Sequence, residues 1–227
     1  MPVDKPSSDW YILFQRRSNP SMGEKVMQVK KLMAKKLVTI PPGTSILKAM
    51  EVMRKHSIRH LPVVDEEKFI GFLTEGDLRQ ASLLSMVDKI SIEDVMIKNP
   101  VSISPEASVE DAARLIFKHK IGGLPVIQDH KLVGILTIVD ILKAFVEMMG
   151  LLRSSSRIDV VLGNEPQAFE DVSRVFKDQG AVIISVGMSG HRDRKKRIYY
   201  FRCEKCPVDA IAESLEEKGY RVVSVTE

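Results

Sequence analysis

Apolar residues Ile46, Ala49, Met50 and Met53 recur at three- and four-residue spacing, which predicts an amphipathic helix. Thr44 or Ser45, just after Pro41-Pro42-Gly43, is placed to cap it. An apolar run at 61–64, a polar turn at 65–68 and a second run at 69–74 predict two paired strands. A helix is predicted to start near Glu75. The order then returns. Ser108 caps a face of Val109, Ala112, Ala113 and Ile116. Residues 124–127 and 132–137 read as strands, and a helix runs from about Val139 to Leu152, with Arg153 suited to its last turn.

The return is an internal repeat. Shifting the chain by 63 residues aligns 32–81 with 95–144 without a gap, and nineteen of the fifty positions are identical. Chance would give about three at ordinary composition. Met33 falls on Met96, Ser45 on Ser108, His56 on His119, Leu61-Pro62-Val63 on Leu124-Pro125-Val126, Gly71 on Gly134, Thr74 on Thr137 and Asp77 on Asp140. Two copies imply a pseudo-twofold pair rather than a solenoid, which needs at least three repeats.

Residues 157–227 follow another rhythm. A strand at 158–162, a helix at 167–179 ended by Gly180, strands at 181–188 and 198–203, a helix at 208–218 behind Pro207, and a strand at 220–225 give β-α-β-β-α-β. That is the ferredoxin-like arrangement. Ser154-Ser155-Ser156 reads as the boundary. The fold class is therefore α/β (α+β): a repeated unit followed by a βαββαβ domain.

Composition narrows the function. With 44% hydrophobic and 28% charged residues, the chain is not disordered, collagenous or a coiled coil. Two cysteines do not make a disulfide framework, which suggests a reducing compartment, the cytoplasm. No apolar run approaches the roughly 20 residues that span a bilayer, and the N-terminus lacks a secretory h-region. The net charge of +4 resolves into +3 in residues 1–31, +1 in 32–156 and zero in 157–227. The excess sits in a tail, not on a folded face, which argues against a nucleic-acid domain.

Two stretches carry a family resemblance: Ile58-Arg59-His60-Leu61-Pro62-Val63 with Gly71-Phe-Leu-Thr74-Glu-Gly-Asp77, and their repeats, Ile121-Gly-Gly-Leu-Pro-Val126 with Gly134-Ile-Leu-Thr137-Ile-Val-Asp140. Residues 27–153 resemble a tandem pair of CBS motifs, a Bateman module, with the first at about 27–86 and the second at about 90–150. Residues 157–227 resemble an ACT domain in element order, and 1–26 form an N-terminal extension. The combination resembles the acetoin-utilisation AcuB family.

The resemblance implies a regulatory protein, not an enzyme, that senses an adenine nucleotide (AMP, ADP or ATP) or S-adenosylmethionine and uses no cofactor or metal. Physically, Thr-x-x-Asp opens a helix after a strand, so backbone amides and the positive end of the dipole face a cleft. An ionised Asp there can accept from ribose hydroxyls. The same residues can equally be plain helix caps. The family pattern implies two crossed sites. One joins Thr137 and Asp140 with Met33, Val38, Ile58, Arg59 and His60. The second joins Thr74 and Asp77 with Met96, Val101, Ile121 and Gly122. Apolar members would hold adenine, and Arg59 and His60 would meet phosphate, so the first site is favoured.

The resemblance also implies a homodimer through apolar helix residues Leu78, Leu83 and Leu84, with Ile141, Leu142, Phe145 and Val146. In the ACT-like part, the loop Gly163-Asn164-Glu165-Pro166-Gln167-Ala168 has Gln167 where amino-acid-binding ACT domains place glycine, which favours dimerisation or docking of a protein partner. His56 and His119 suit helix C-termini. Cys203-Glu-Lys-Cys206 has metal-ligand spacing but no second pair. The basic run 191–197 fits a hairpin tip. Two readings compete: an enzyme or accessory factor of acetoin or carbon metabolism, and a nucleic-acid-binding regulator using 191–197. The helix after Thr137 leaves two readings open: a lever from the nucleotide site to the C-terminal domain, or a passive tether through Gly150 and the three serines.

Overall fold

The computed structural model describes residues 27–83, 90–163, 167–189 and 197–227. The 1–26 extension, Leu84, the loop 164–166 and residues 191–196 of the basic run lie outside them.

In copy one, Ser45 caps helix α1 (Ile46–His56) by accepting from the Lys48 amide, and Ser57 ends it in the left-handed region. Strands β1 (His60–Asp65) and β2 (Lys68–Thr74) form an antiparallel hairpin with a bulge at Val63/Val64. Helix α2 (Glu75–Ser82) begins directly from β2. The short helix α3 (Ile92–Val95) leads into copy two. Copy two is built alike: α4 (Val109–His119) capped by Ser108, β3 (Gly123–Gln128), β4 (Lys131–Thr137) with its bulge at Val126/Ile127, and α5 (Ile138–Met148). His56 and His119 are each the last residue of their helix.

The packing crosses the chain order. Ala34 exchanges backbone hydrogen bonds with Ile135 of copy two at 2.8 and 3.1 Å, and Ile97 does the same with Phe72 of copy one at 2.9 and 3.1 Å. Val29, Leu32 and Met33 thus join the core of Ile103, Ala112, Ile116, Leu124, Val126 and Leu136. Ile92, Val95 and Met96 join that of Ile46, Ala49, Met53, Leu61, Val63, Leu73 and Leu78. Each fully buried leucine or isoleucine contributes roughly 1.5–3 kcal/mol. Gly71 and Gly134 make the crossing possible, because a Cβ on Gly71 would collide with Met96 and one on Gly134 with Met33.

The C-terminal domain comprises β5 (Ser155–Val161), α6 (Ala168–Asp178), β6 (Ile183–Met188), β7 (Ile198–Glu204), α7 (Val208–Glu217) and β8 (Arg221–Thr226). Its four strands lie antiparallel in the order β6-β7-β5-β8, the ferredoxin-like topology. One face packs on α6 and α7 through Ile158, Val160, Phe176, Phe201, Ile211 and Leu215.

Three expectations are corrected here. The serines at 154–156 are not a break: Ser155 and Ser156 begin β5, because β7 extends to Glu204 and pairs with them. Helix α5 ends at Met148 rather than Leu152, since Gly150 takes φ +71° and turns the chain. Leu78 is fully buried in the copy-one core, so it is not a surface residue for a second chain.

Candidate functional site

Thr74 and Thr137 end their strands with extended backbone and cap α2 and α5. Both form reciprocal capping boxes. The Thr74 amide donates to Asp77 Oδ2 at 3.0 Å and its hydroxyl donates to the same oxygen at 2.6 Å, while the Asp77 amide donates to Thr74 Oγ1 at 3.3 Å. In copy two the corresponding distances are 2.8, 2.6 and 3.4 Å. The capping reading of these residues is therefore real. It uses only Oδ2. Oδ1 of Asp77 and of Asp140 makes no hydrogen bond among the described residues, and both carboxylates are only half-buried.

The structure brings the two copies together at His60. A Cβ built on Gly122 or on Gly123 would lie 3.1 Å from His60 Nε2, so the imidazole rests on bare backbone of copy two. Gly123 is the register partner of Thr137, and the Ile138 amide donates to Gly122 O at 3.0 Å. His60 therefore sits beside the start of α5. It also stacks on Phe72, with ring centroids 5.7 Å apart and planes 18° apart. Burial holds its imidazole below the ordinary histidine range, with Arg59 adding to the effect and Asp77 opposing it.

The other sequence-derived residues divide between the two sides. Met33 lies on Gly134 of β4, the strand that ends in Thr137, and Met96 lies on Gly71 of β2, the strand that ends in Thr74. Those contacts cross the copies. Val38 and Ile58 pack on the copy-one core, and Val101 and Ile121 on the copy-two core. Arg59 is exposed, and its carbonyl accepts from the Glu75 amide of its own copy at 3.0 Å. It borders a groove of about 600 Å³ whose walls are all copy one: Leu47, Met50, Arg54, Ile58, Glu75 and Leu78 among them.

Arg54 and Glu75 escaped the sequence reading. The signal was available in the repeat, in its differences rather than its identities. Phe117, Gly122 and Ile138 occupy the copy-two positions of Arg54, Arg59 and Glu75. Among the described residues no cluster of three metal-ligating side chains occurs, and no helix is long and apolar enough to cross a membrane.

Comparison with known proteins bears on the repeated unit. The CBS domain family matches residues 29–84 and 92–147. An L-aspartate semialdehyde sulfurtransferase of Methanocaldococcus jannaschii is 33% identical over 132 residues, which are 57% of this chain and 25% of that protein. The chain thus spans about a quarter of that relative. A CBS domain-containing protein of Bacillus subtilis, YhcV, is 32% identical over 50% of this chain and 81% of its own length. A crystallised CBS domain pair in complex with 5′-methylthioadenosine and S-adenosyl-L-methionine aligns with TM-score 0.50 and 34% identity, covering 53% of this chain and 96% of that one. A Vibrio cholerae protein assigned to acetoin utilization (AcuB) aligns with TM-score 0.50 and 30% identity over 56% of this chain and 95% of that one.

Proposed function

Because the chain belongs to the CBS-domain family, we propose that it is a non-catalytic ligand sensor that binds an adenine nucleotide or S-adenosylmethionine between its two copies. One observation carries the reading: each Thr-x-x-Asp box presents an unused carboxylate oxygen at a helix N-terminus, with His60 of one copy laid on the Gly122-Gly123 backbone of the other. An acceptor-only carboxylate at that place suits a ribose diol. The relative crystallised with two adenosine-bearing ligands supports the ligand class.

The favoured site comprises Thr137 and Asp140 with Met33, Val38, Ile58, Arg59 and His60. Thr74 and Asp77 with Met96, Val101, Ile121 and Gly122 form the second, which lacks a cationic pair. Residues 27–153 act as the sensing pair and 155–227 as an ACT-like domain for dimerisation or a protein partner, in a cytoplasmic regulator of the AcuB type. The dimer uses the outer face of α5, where Leu142 and Phe145 are exposed, with Leu83 beside α2. Sedimentation at micromolar concentration tests it, and a lone 25.5 kDa species overturns it.

Thermal denaturation with AMP, ADP, ATP and S-adenosylmethionine tests the sensor. A ligand at about 100 times its Kd adds about 2.7 kcal/mol to the native state and raises Tm. No shift with any of the four at millimolar concentration overturns the reading.

A further inference from the structure

The two cysteines of the chain lie together where the chain enters the C-terminal domain, beside Ser156 at the start of β5. Cys203, near the end of β7, is fully buried in the core of that domain, and Cys206 is half-buried in the loop before Pro207, which opens α7. Their sulfurs are 3.5 Å apart. A disulfide needs about 2.05 Å, so the sulfurs stand about 1.5 Å from bonding distance. We propose that Cys203 and Cys206 are a reversible oxidation site that a small hydroperoxide converts to an intramolecular disulfide.

The chemistry balances in two steps. The Cys206 thiolate attacks the terminal peroxide oxygen, the O–O bond breaks, and the alcohol or water leaves after taking a proton. Cys206 is then a sulfenic acid. The Cys203 sulfur attacks the sulfenic sulfur, the S–O bond breaks, and the thiol proton leaves with the hydroxyl as water. Two thiols lose two electrons and the peroxide gains them.

The roles follow from placement. Cys206 is the less buried residue of the two, at the edge of the core, and is the one assigned to meet the peroxide. Cys203 is enclosed; burial and the neighbouring thiol push it up to about 12, which keeps it unreactive towards outside reagents and makes it a poor leaving group once bonded. The geometry is held by Ser156, whose side chain is fully buried. Its hydroxyl accepts from the Cys206 amide and donates to the Cys206 carbonyl, both at 3.2 Å, and its carbonyl accepts from the Cys203 thiol at 3.5 Å. Ser156 is the second residue of β5, so closing the disulfide pulls directly on the start of that strand.

The test treats the full chain with hydrogen peroxide, denatures it, alkylates it without reductant and weighs it. Both alkylation sites are expected to disappear together, with a mass lower by two hydrogens, and dithiothreitol is expected to restore both. In Cys206→Ser the buried Cys203 stays fully alkylatable after the same treatment; in Cys203→Ala, Cys206 stops at the sulfenic or sulfinic acid. Two alkylatable cysteines after peroxide, a sulfinic Cys206 beside a reduced Cys203, or a cross-link between two chains overturns the proposal.

Discussion

The two copies share caps, hairpins and even the position of a bulge, yet they differ at the loop that enters the first strand. Copy one has Arg59-His60 there and copy two has Gly122-Gly123. These are halves of one feature. The His60 ring lies where a Cβ of either glycine would come within 3.1 Å, so a side chain on one side requires none on the other. The neighbouring surface diverges in the same sense: Arg54 and Glu75 flank the copy-one groove, while copy two presents Phe117, 87% exposed, and Ile138. Duplication has kept the caps, the hairpins and the Thr-x-x-Asp boxes, and the changes named here fall at the contact between the copies and on the surface beside it.

The largest expected effect tests the crossed packing that both copies share. Ile92 is fully buried in the copy-one core although it lies in the approach to copy two. Ile92→Ala should destabilise the chain by about 2–5 kcal/mol, and hydrogen exchange should show the loss in 46–81 rather than 109–137. Loosening confined to copy two would refute the crossing.

Next comes the ligand. Asp140→Ala should remove most of the nucleotide-induced rise in Tm, and Asp77→Ala much less. Equal losses would mean that the Arg59-His60 side confers no preference.

A smaller effect separates capping from binding. Thr74→Ala and Thr137→Ala each remove a cap of the same geometry, so both should lower unliganded stability by about 0.5–2 kcal/mol, measured by urea unfolding. A difference well beyond that range between the two would show that the boxes are not equivalent as caps.

The smallest is a pH effect, unique to copy one. Burial and Arg59 lower the His60 pKa against the pull of Asp77, so the folded chain takes up this proton at lower pH than the unfolded chain. Stability from this residue is complete above the ordinary histidine value of about 6.5 and declines as pH falls through it. His60→Gln should flatten the difference between urea midpoints at neutral and mildly acid pH. An unchanged slope would assign the acid sensitivity elsewhere. A bound phosphate would favour the imidazolium, so nucleotide affinity should rise over the same acid range.

Local signals were legible in the sequence and tertiary ones were not. Ser45, Ser108, Thr74 and Thr137 announce their helices because a cap is a contact between residues three apart. The same locality made Thr-x-x-Asp visible as a cap, and its recurrence within a family-like repeat made it a candidate site. The crossing of Met33 onto Gly134 joins residues about a hundred positions apart, and only the family resemblance implied it. Ser155 and Ser156 have poor strand propensity, and what overrides it is the distant segment Cys203–Cys206 pairing with them. Met149, Leu151 and Leu152 prolong the apolar rhythm of α5, but Gly150 turns against Ile184 of β6, with which a Cβ would collide at 2.8 Å. As a lever, α5 is therefore shorter, 11 residues or about 16 Å, and stitched at its end by the Ser185 hydroxyl donating to Met149 O at 3.0 Å.

The crossed approaches also set the order in which the chain can be completed during synthesis. When Ser82 leaves the ribosome, copy one has its helices and hairpin but lacks Ile90, Ile92, Val95 and Met96, which close its core. Its lead, with Val29 and Met33, has no surface to bind until Leu124, Val126 and Leu136 arrive. Neither copy can finish alone, so the pair is the smallest unit that folds. The copy-one core closes once Met96 emerges, about fourteen residues on, but the apolar lead stays exposed while about fifty emerge, a few seconds to ten at ordinary elongation rates.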